Sequence, residues 1–393
     1  MNMKKVRTWA IMVSLSFVLC GTWAAELEPT ISVLAKQRYP WNGLVDVKFT
    51  IAGEAGKKYA TSFTAMDLVG NTNITMKTIY KSKDVPAQSP ENLASGSYSW
   101  IWDASKDLPM DWESARVSVV GEAKNVVPLY IAIDLSAGKD ATSYPIEYIY
   151  ETPSAGWTDE YKTTKLVMRR IEPGTFMMGE GGRFNVSLAT PYYIGVFETT
   201  QQQYELVTGN NPSLHKGRLL PVGNVSWNEI RGDADVHDWP SVITVDPYSF
   251  IGLLQARSKL QIDLPTESQW EYACRAGTTT SYSYGEQSNG DYMWYYENSG
   301  LTTHDVGGRL ANAWGLYDMH GNVYEWCLER FVGSLSTGAE ASSVDPSLRS
   351  HRMLRGGSWN SIVGWCYSYT WISLNPNSSG DDCGFRLAIH LAE

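Results

Sequence analysis

Asn312-Ala313-Trp314-Gly315-Leu316-Tyr317-Asp318-Met319-His320-Gly321-Asn322-Val323-Tyr324-Glu325-Trp326 sets two glycines and two acids among aromatic residues. Taken alone it reads as a turn-bearing loop, with Asp318 and Glu325 capping turns and accepting from backbone amides. Its weight comes from its neighbours. Upstream, Leu264-Pro265-Thr266-Glu267-Ser268-Gln269-Trp270-Glu271-Tyr272-Ala273-Cys274 reads as a short amphipathic helix. Thr266 and Gln269 have the spacing of a capping box. Trp270, Ala273 and Cys274 share one face, and Gly277 is placed to take a left-handed cap.

Further out, the pieces come in a fixed order. Gly174-Thr175-Phe176-Met177-Met178-Gly179, Glu198-Thr199-Thr200 before Tyr204, Pro221-Val222 and Val225-Ser226-Trp227 precede the helix. Leu354-Arg355-Gly356-Gly357-Ser358-Trp359-Asn360 and Gly384-Phe385-Arg386 close the chain. Each piece is weak, but the ordered set is specific. From about Lys165 onward the chain resembles the formylglycine-generating enzyme, or sulfatase-modifying factor, family.

The resemblance implies an α+β fold, related to C-type lectin-like folds, with little regular secondary structure. It also implies an activity: oxidation of a sulfatase cysteine to formylglycine with oxygen and copper. Copper(I) in such enzymes is held by two thiolates after the Gly-Gly-Ser motif, and soft thiolates suit that ion. Ser358 of that motif and Cys366 are thus the candidate catalytic residues. The earlier thiolate position, five residues before Cys366, holds Ser361, and Ile362 stands where a histidine follows in the enzymes. A serine hydroxyl is a poor copper(I) ligand, so copper is not expected here unless Cys383 supplies a second thiol. Related exported domains carry cysteines matching Cys274 and Cys366, which implies a disulfide between them. The resemblance places calcium at the Asp318 and Glu325 side chains and the Gly321 and Val323 carbonyls, hard oxygens of the kind calcium takes. A second branch of the family binds iron through histidines on a helical bundle. This chain's six histidines are scattered without ligand spacing.

The N-terminal part lies outside the resemblance. Val45–Ile51, Ser97–Trp102 and Ala115–Val120 alternate apolar and polar residues, with Gly, Asn, Asp and Pro clusters between them. The expectation is an all-β, immunoglobulin-like sandwich over residues 25–150, a spacer or adhesion module without a catalytic cluster. Glu151 to Thr164 reads as a linker, and Lys165–Ile171 as the first strand of the second domain.

At 393 residues, with 43% hydrophobic content, the chain is long enough for two cored domains. Its start reads as a signal peptide: Lys4, Lys5 and Arg7, an apolar run from Trp9 to Cys20, then Thr22-Trp23-Ala24 before a cut. That places the protein in the periplasm or outside the cell, and no later stretch is apolar enough for a membrane span. The mature balance is 29 basic against 42 acidic residues, which argues against nucleic acid as a partner. The four remaining cysteines, Cys274, Cys327, Cys366 and Cys383, are an even set open to three disulfide connectivities. Sixteen Trp and 23 Tyr against nine Phe favour partly wet contact surfaces. Trp359, Asn360, Trp365, Tyr367 and Trp371 form the candidate ligand-binding face, for a protein or glycan partner. A binding role is favoured, and an oxidase acting on a partner such as a sulfatase is the alternative.

Overall fold

The computed structural model describes residues 29–38, 42–68, 72–82, 85–86, 93–107, 117–237, 242–331 and 351–391. The proposed signal peptide lies outside these residues. The chain divides into two compact units, one ending at Val126 and the other beginning at Val127.

The first unit is built from period-two strands. β1 (Thr30–Gln37), β2 (Leu44–Ala52), β5 (Ile79–Ser82), β6 (Val85–Pro86) and β7 (Gly96–Asp103) form one antiparallel sheet in the order β1-β2-β7-β5-β6. β3 (Tyr59–Asp67), β4 (Thr72–Thr75) and β8 (Val117–Asn125) form the other, in the order β4-β3-β8. Alternation sends Val45, Val47, Phe49 and Ile51 inward from β2, where Trp100 and Trp102 of β7 meet Tyr59 and Ala65 of β3 in a shared core. A one-turn helix, α1 (Ala104–Asp107), follows β7. The three expected strands lie within β2, β7 and β8, although Ala115 and Arg116 fall outside the described residues.

The second unit starts earlier than the pattern of its sequence indicated. β9 (Tyr130–Asp134) and β10 (Ile146–Ile149) belong to its six-stranded sheet, not to the sandwich. The remaining strands of that sheet are β11 (Lys165–Ile171), β14 (Tyr192–Gly195), β15 (Ile262–Asp263) and β20 (Ala388–His390), in the order β10-β9-β11-β14-β20-β15. The supposed linker is also part of the unit. Its short helix α2 (Glu160–Thr163) carries Tyr161, which packs through Trp157 onto Tyr130. Most of this turn-rich stretch is exposed, but Tyr161 and Thr163 are buried and anchor it, which a reading weighted towards Gly and Pro passes over.

β12 (Gly174–Met178) and β13 (Phe184–Leu188) form a hairpin. A four-stranded sheet holds β16 (Tyr324–Arg330) at its centre, between β17 (Arg352–Arg355) and β19 (Cys383–Gly384), with β18 (Trp371–Leu374) beyond β17. Helices α3 (Gln201–Thr208), α4 (Trp227–Arg231) and α6 (Glu267–Arg275) each start with a complete capping box, at Thr200/Gln203, Ser226/Glu229 and Thr266/Gln269. α5 (Phe250–Ser258) is capped by Ser249. Trp270, Ala273 and Cys274 of α6 are fully buried, as the face predicts. Its cap is Ala276 at φ 47°, one residue before the expected Gly277. Among the described residues, no helix is long and apolar enough to cross a membrane.

Candidate functional site

Asn312 organises the loop that leads into β16. Its carbonyl oxygen accepts from Trp314 N (3.0 Å) and Leu316 N (3.1 Å), and its amide donates to the Ala273 and Cys274 carbonyls at the end of α6. Asp318, Gly321 and Asn322 then all adopt positive φ, at 56°, 84° and 60°. Gly321 is required there, because a Cβ would collide with the Trp294 backbone carbonyl.

This loop brings three buried carboxyls near one guanidinium. Glu325 accepts from Arg386 Nε and Nη2, both at 2.6 Å, and from Trp270 Nε1 at 2.6 Å. Glu198 accepts from Asn322 Nδ2 (2.7 Å) and Val323 N (3.1 Å). Asp318 Oδ2 accepts from Gly307 N at 2.6 Å, while its Oδ1 is buried without a partner. Burial, with only partial offset from the Gly307 bond and Arg386, pushes the Asp318 carboxyl up to about 6. Burial and then the charges of Asp318 and Glu325 raise Glu198 well above the usual carboxylate range. Of the four residues proposed for calcium, the structure thus places Asp318 and Glu325 in one buried acidic region. Among the described residues, no three His, Cys, Asp or Glu side chains converge as a metal site. A cation here would need the Gly321 and Val323 carbonyls as well. The orphaned Asp318 Oδ1 and the excess of carboxyls over Arg386 fit a hard cation.

The second cluster surrounds Cys366, at the end of a 3₁₀ turn (Val363–Cys366). Gly357 at φ 76° faces it, and a Cβ there would overlap the Cys366 sulfur. The Ser358 N–H donates to Ser361 Oγ at 3.0 Å and also supports the Cys366 sulfur. The Ser361 hydroxyl and the Cys366 thiol therefore gather at one backbone amide. Ser361 Oγ donates to Tyr324 Oη (3.0 Å) and lies 3.1 Å from Ser358 Oγ, which donates to Asp382 Oδ2 (2.9 Å). Burial pushes the Cys366 thiol up to about 12, so it is protonated at neutral pH.

The expected Cys274–Cys366 bridge is not formed. Cys274, Cys327, Cys366 and Cys383 are all buried free thiols. Cys274 points at the Met319 carbonyl (3.6 Å) and His320 Nε2 (3.7 Å), whereas Cys366 faces Gly357. Cys383 sits against the Asp382 carboxylate at 3.6 Å, in a different core cluster from Cys366.

The expected aromatic face is split. Asn360 and Trp365 are exposed, Trp365 by 45%. Trp359 is buried, with its backbone N–H donating to the Asn322 carbonyl and its ring edge-on to His215. Trp371 packs on Phe331, and Tyr367 joins a tyrosine cluster through Tyr282 at 5.1 Å. Glu198, Arg386, Tyr324 and Asp382 are the site residues that the sequence did not single out. Glu198, Arg386 and Tyr324 stand in quoted motifs, and their residue types were the available signal. Nothing local ties Asp382 to Ser358.

Comparison with known proteins extends this picture. The family described as "Sulfatase-modifying factor enzyme 1-like domain" matches residues 155–391. Chaperone protein LppX of Paenibacillus barcinonensis is 29% identical over 252 residues, covering 53% of this chain and 86% of that protein. The formylglycine-generating enzyme of Mycobacterium tuberculosis is 35% identical over 138 residues, 29% of this chain and 46% of the enzyme. The match thus spans about half the length of that enzyme. Among solved structures, Treponema denticola variable protein 1 aligns with a TM-score of 0.45 at 26% identity, over 57% of this chain and 95% of that one. PvdO from Pseudomonas aeruginosa aligns at 0.44 and 24% identity, with the same coverage.

Proposed function

The chain belongs to the sulfatase-modifying factor family, and we propose that it is an exported binding member that keeps the fold without the copper-dependent oxidation. The observation that carries this reading is the state of Ser361. Its oxygen accepts from the Ser358 amide and its proton goes to Tyr324, so the hydroxyl is satisfied by neutral partners. Nothing there favours an alkoxide. Cys366 is left as a single thiol, protonated at neutral pH, and only the thiolate ligates or reacts. The donor set does not fit copper(I), which prefers two soft ligands.

Within this reading the N-terminal two-sheet unit serves as an immunoglobulin-like spacer or adhesion module. Calcium is a structural ion held by Asp318 and Glu325 with the Gly321 and Val323 carbonyls. The partner is a protein or glycan, a sulfatase among the proteins. Copper(I) titration and mass spectrometry of a cysteine peptide incubated with protein, copper and oxygen test the proposal. The wild-type chain should bind no copper(I) tightly and leave the peptide thiol intact. Ser361→Cys places a second thiol at the same amide and should gain copper(I) binding. Conversion of the peptide cysteine to an aldehyde by the wild type, dependent on Cys366, would establish the oxidase instead. Loss of that activity in Cys383→Ser would then identify the second ligand.

A further inference from the structure

Resting on the binding reading, we propose that the open pocket walled by Tyr284, Glu286, Gln287, Ser288, Asn289 and Tyr292 binds an uncharged saccharide. The pocket has a volume of about 510 Å³, and its Tyr284 packs from behind onto the core cluster that holds Cys366. That size is within the range of small-ligand sites.

Its aromatic wall is prebuilt. Tyr284 stacks on Tyr292 at 4.3 Å and 19°, and on Tyr282 at 5.0 Å and 10°. Hydrogen bonds fix this column from behind: Tyr282 Oη donates to the Val363 carbonyl (3.1 Å), and Tyr284 Oη to Met293 Sδ (3.5 Å). A sugar presents one apolar C–H face and a rim of hydroxyls, so it needs a rigid ring face beside several small polar groups, and Tyr292, at the end of the column, offers the face turned away from Tyr284. Rings already ordered before binding lower the entropic cost of association.

The polar side of the pocket is of the right kind. Gln287, Ser288 and Asn289 are exposed. The Asn289 carbonyl oxygen is used by Asp291 N–H at 2.9 Å, which leaves its amide nitrogen as a donor. Glu286 is held in the wall by Ser281, through N–H at 3.2 Å and Oγ at 2.7 Å, and remains able to accept from a sugar hydroxyl. Gly285, at φ 138°, has no atom within 4 Å of the place a Cβ would take, so the mouth stays open.

Charge decides the class of sugar. No Lys or Arg lines the pocket, and Glu286 does. Sulfated, phosphorylated or sialylated ligands would meet like charge without a compensating cation. Neutral and N-acetylated sugars meet no such penalty.

The test is titration of the full chain with cellotriose, chitotriose and sialyllactose, followed by calorimetry and ligand-observed NMR. Cellotriose or chitotriose should bind and sialyllactose should not. Gln287→Ala, at an exposed position, and Tyr292→Ala should each weaken binding about tenfold, whereas Trp365→Ala should change it less than about twofold. Failure of both neutral trisaccharides at roughly 10 mM would overturn the inference, since such a site would lie beyond useful affinity. So would binding of sialyllactose alone, or an unchanged affinity in Gln287→Ala. The peptide-oxidation assay on the same preparation separates this outcome from failure of the broader reading. Absence of sugar binding with no oxidation removes only the saccharide site, while oxidation removes the binding reading itself.

Discussion

The two units of this chain are held together by different means. In the first, alternating strands place Val45, Val47, Phe49, Ile51, Trp100 and Trp102 in one core, and its described ion pairs, such as Arg38–Asp46, remain partly exposed. In the second, four arginines, Arg231, Arg352, Arg355 and Arg386, rank among the largest fully buried side chains. Arg231 pairs with Asp263, Arg355 with Glu267 and Glu271, and Arg386 with Glu325. A sheet satisfies its backbone through its own ladder, so a two-residue hydrophobic period is enough to specify it. A loop-rich domain must satisfy buried backbone groups with chosen side chains. Asn312, Glu198 and Arg386 do this work here, with Arg386 donating to the Gly195 and Tyr317 carbonyls. That demand gives the second unit motifs that can be recognised, and leaves the first with only a pattern.

The largest expected effect follows from that contrast. Arg386→Met removes the guanidinium that holds Glu325 through two bonds and strands a buried carboxylate, which should cost the second unit roughly 3–5 kcal/mol. Hydrogen exchange by mass spectrometry should show lost protection in β16 and β20, with β2 and β7 unchanged. Equal loss in β2 and β7 would break the comparison, because it would make the two units one cooperative structure. Pairing the substitution with Glu325→Gln should recover part of the loss, since the stranded charge is then gone.

Calcium should act on the same unit and with a smaller effect. A ligand held at about a hundred times its dissociation constant stabilises the folded state by about 2.7 kcal/mol. Thermal unfolding of the chelated chain, followed by calcium addition, should show an upward shift only in the transition of the second unit. Asp318→Asn keeps an oxygen near Gly307 N–H but removes one charge from the acidic region, and should reduce the shift. If chelated wild type shows no shift, calcium has no place in this domain, and the orphaned Asp318 Oδ1 is satisfied by protonation.

How much was legible follows the same division. The period-two strands, the capping box at Thr266 and the buried face of α6 could be read because each depends on residues a few positions apart. The unit boundary could not. β9 and β10 look like further sandwich strands, and only pairing with β11, more than thirty residues after the start of β9, assigns them to the second sheet. Asp318 and Glu325 could be located as a pair of acids, but the involvement of Glu198 rests on contacts across more than a hundred residues. The aromatic segment from Trp359 to Trp371 offered no period by which to separate exposed Trp365 from buried Trp359. Likewise, the family resemblance implies that Ser361 stands at a thiolate position, but not that its hydroxyl is tied to Tyr324.

The smallest effect belongs to the first unit, at a polar residue that accepts four hydrogen bonds. Asp107 accepts from Lys77 N (2.7 Å), Thr78 N (2.9 Å), Thr78 Oγ1 (2.8 Å) and Trp102 Nε1 (2.8 Å), closing the end of β7 onto the segment before β5. Burial by itself would raise this carboxyl, but the four donors together win and hold it below the ordinary value. A carboxyl with a depressed folded pKa contributes stability that is present above its unfolded pKa, near 4, and that is lost as the pH falls through the folded value. Asp107→Asn keeps the shape but gives up charge-assisted acceptance at one oxygen, and should cost about 1–2 kcal/mol at neutral pH. As the pH falls through the folded value the difference between wild type and variant should shrink, because the wild-type carboxyl then also becomes neutral. Urea unfolding monitored by exchange in β2 and β7 measures both quantities. A cost as large as that of Arg386→Met would mean that the first unit, too, depends on single polar contacts, and the contrast between pattern and motif would fall.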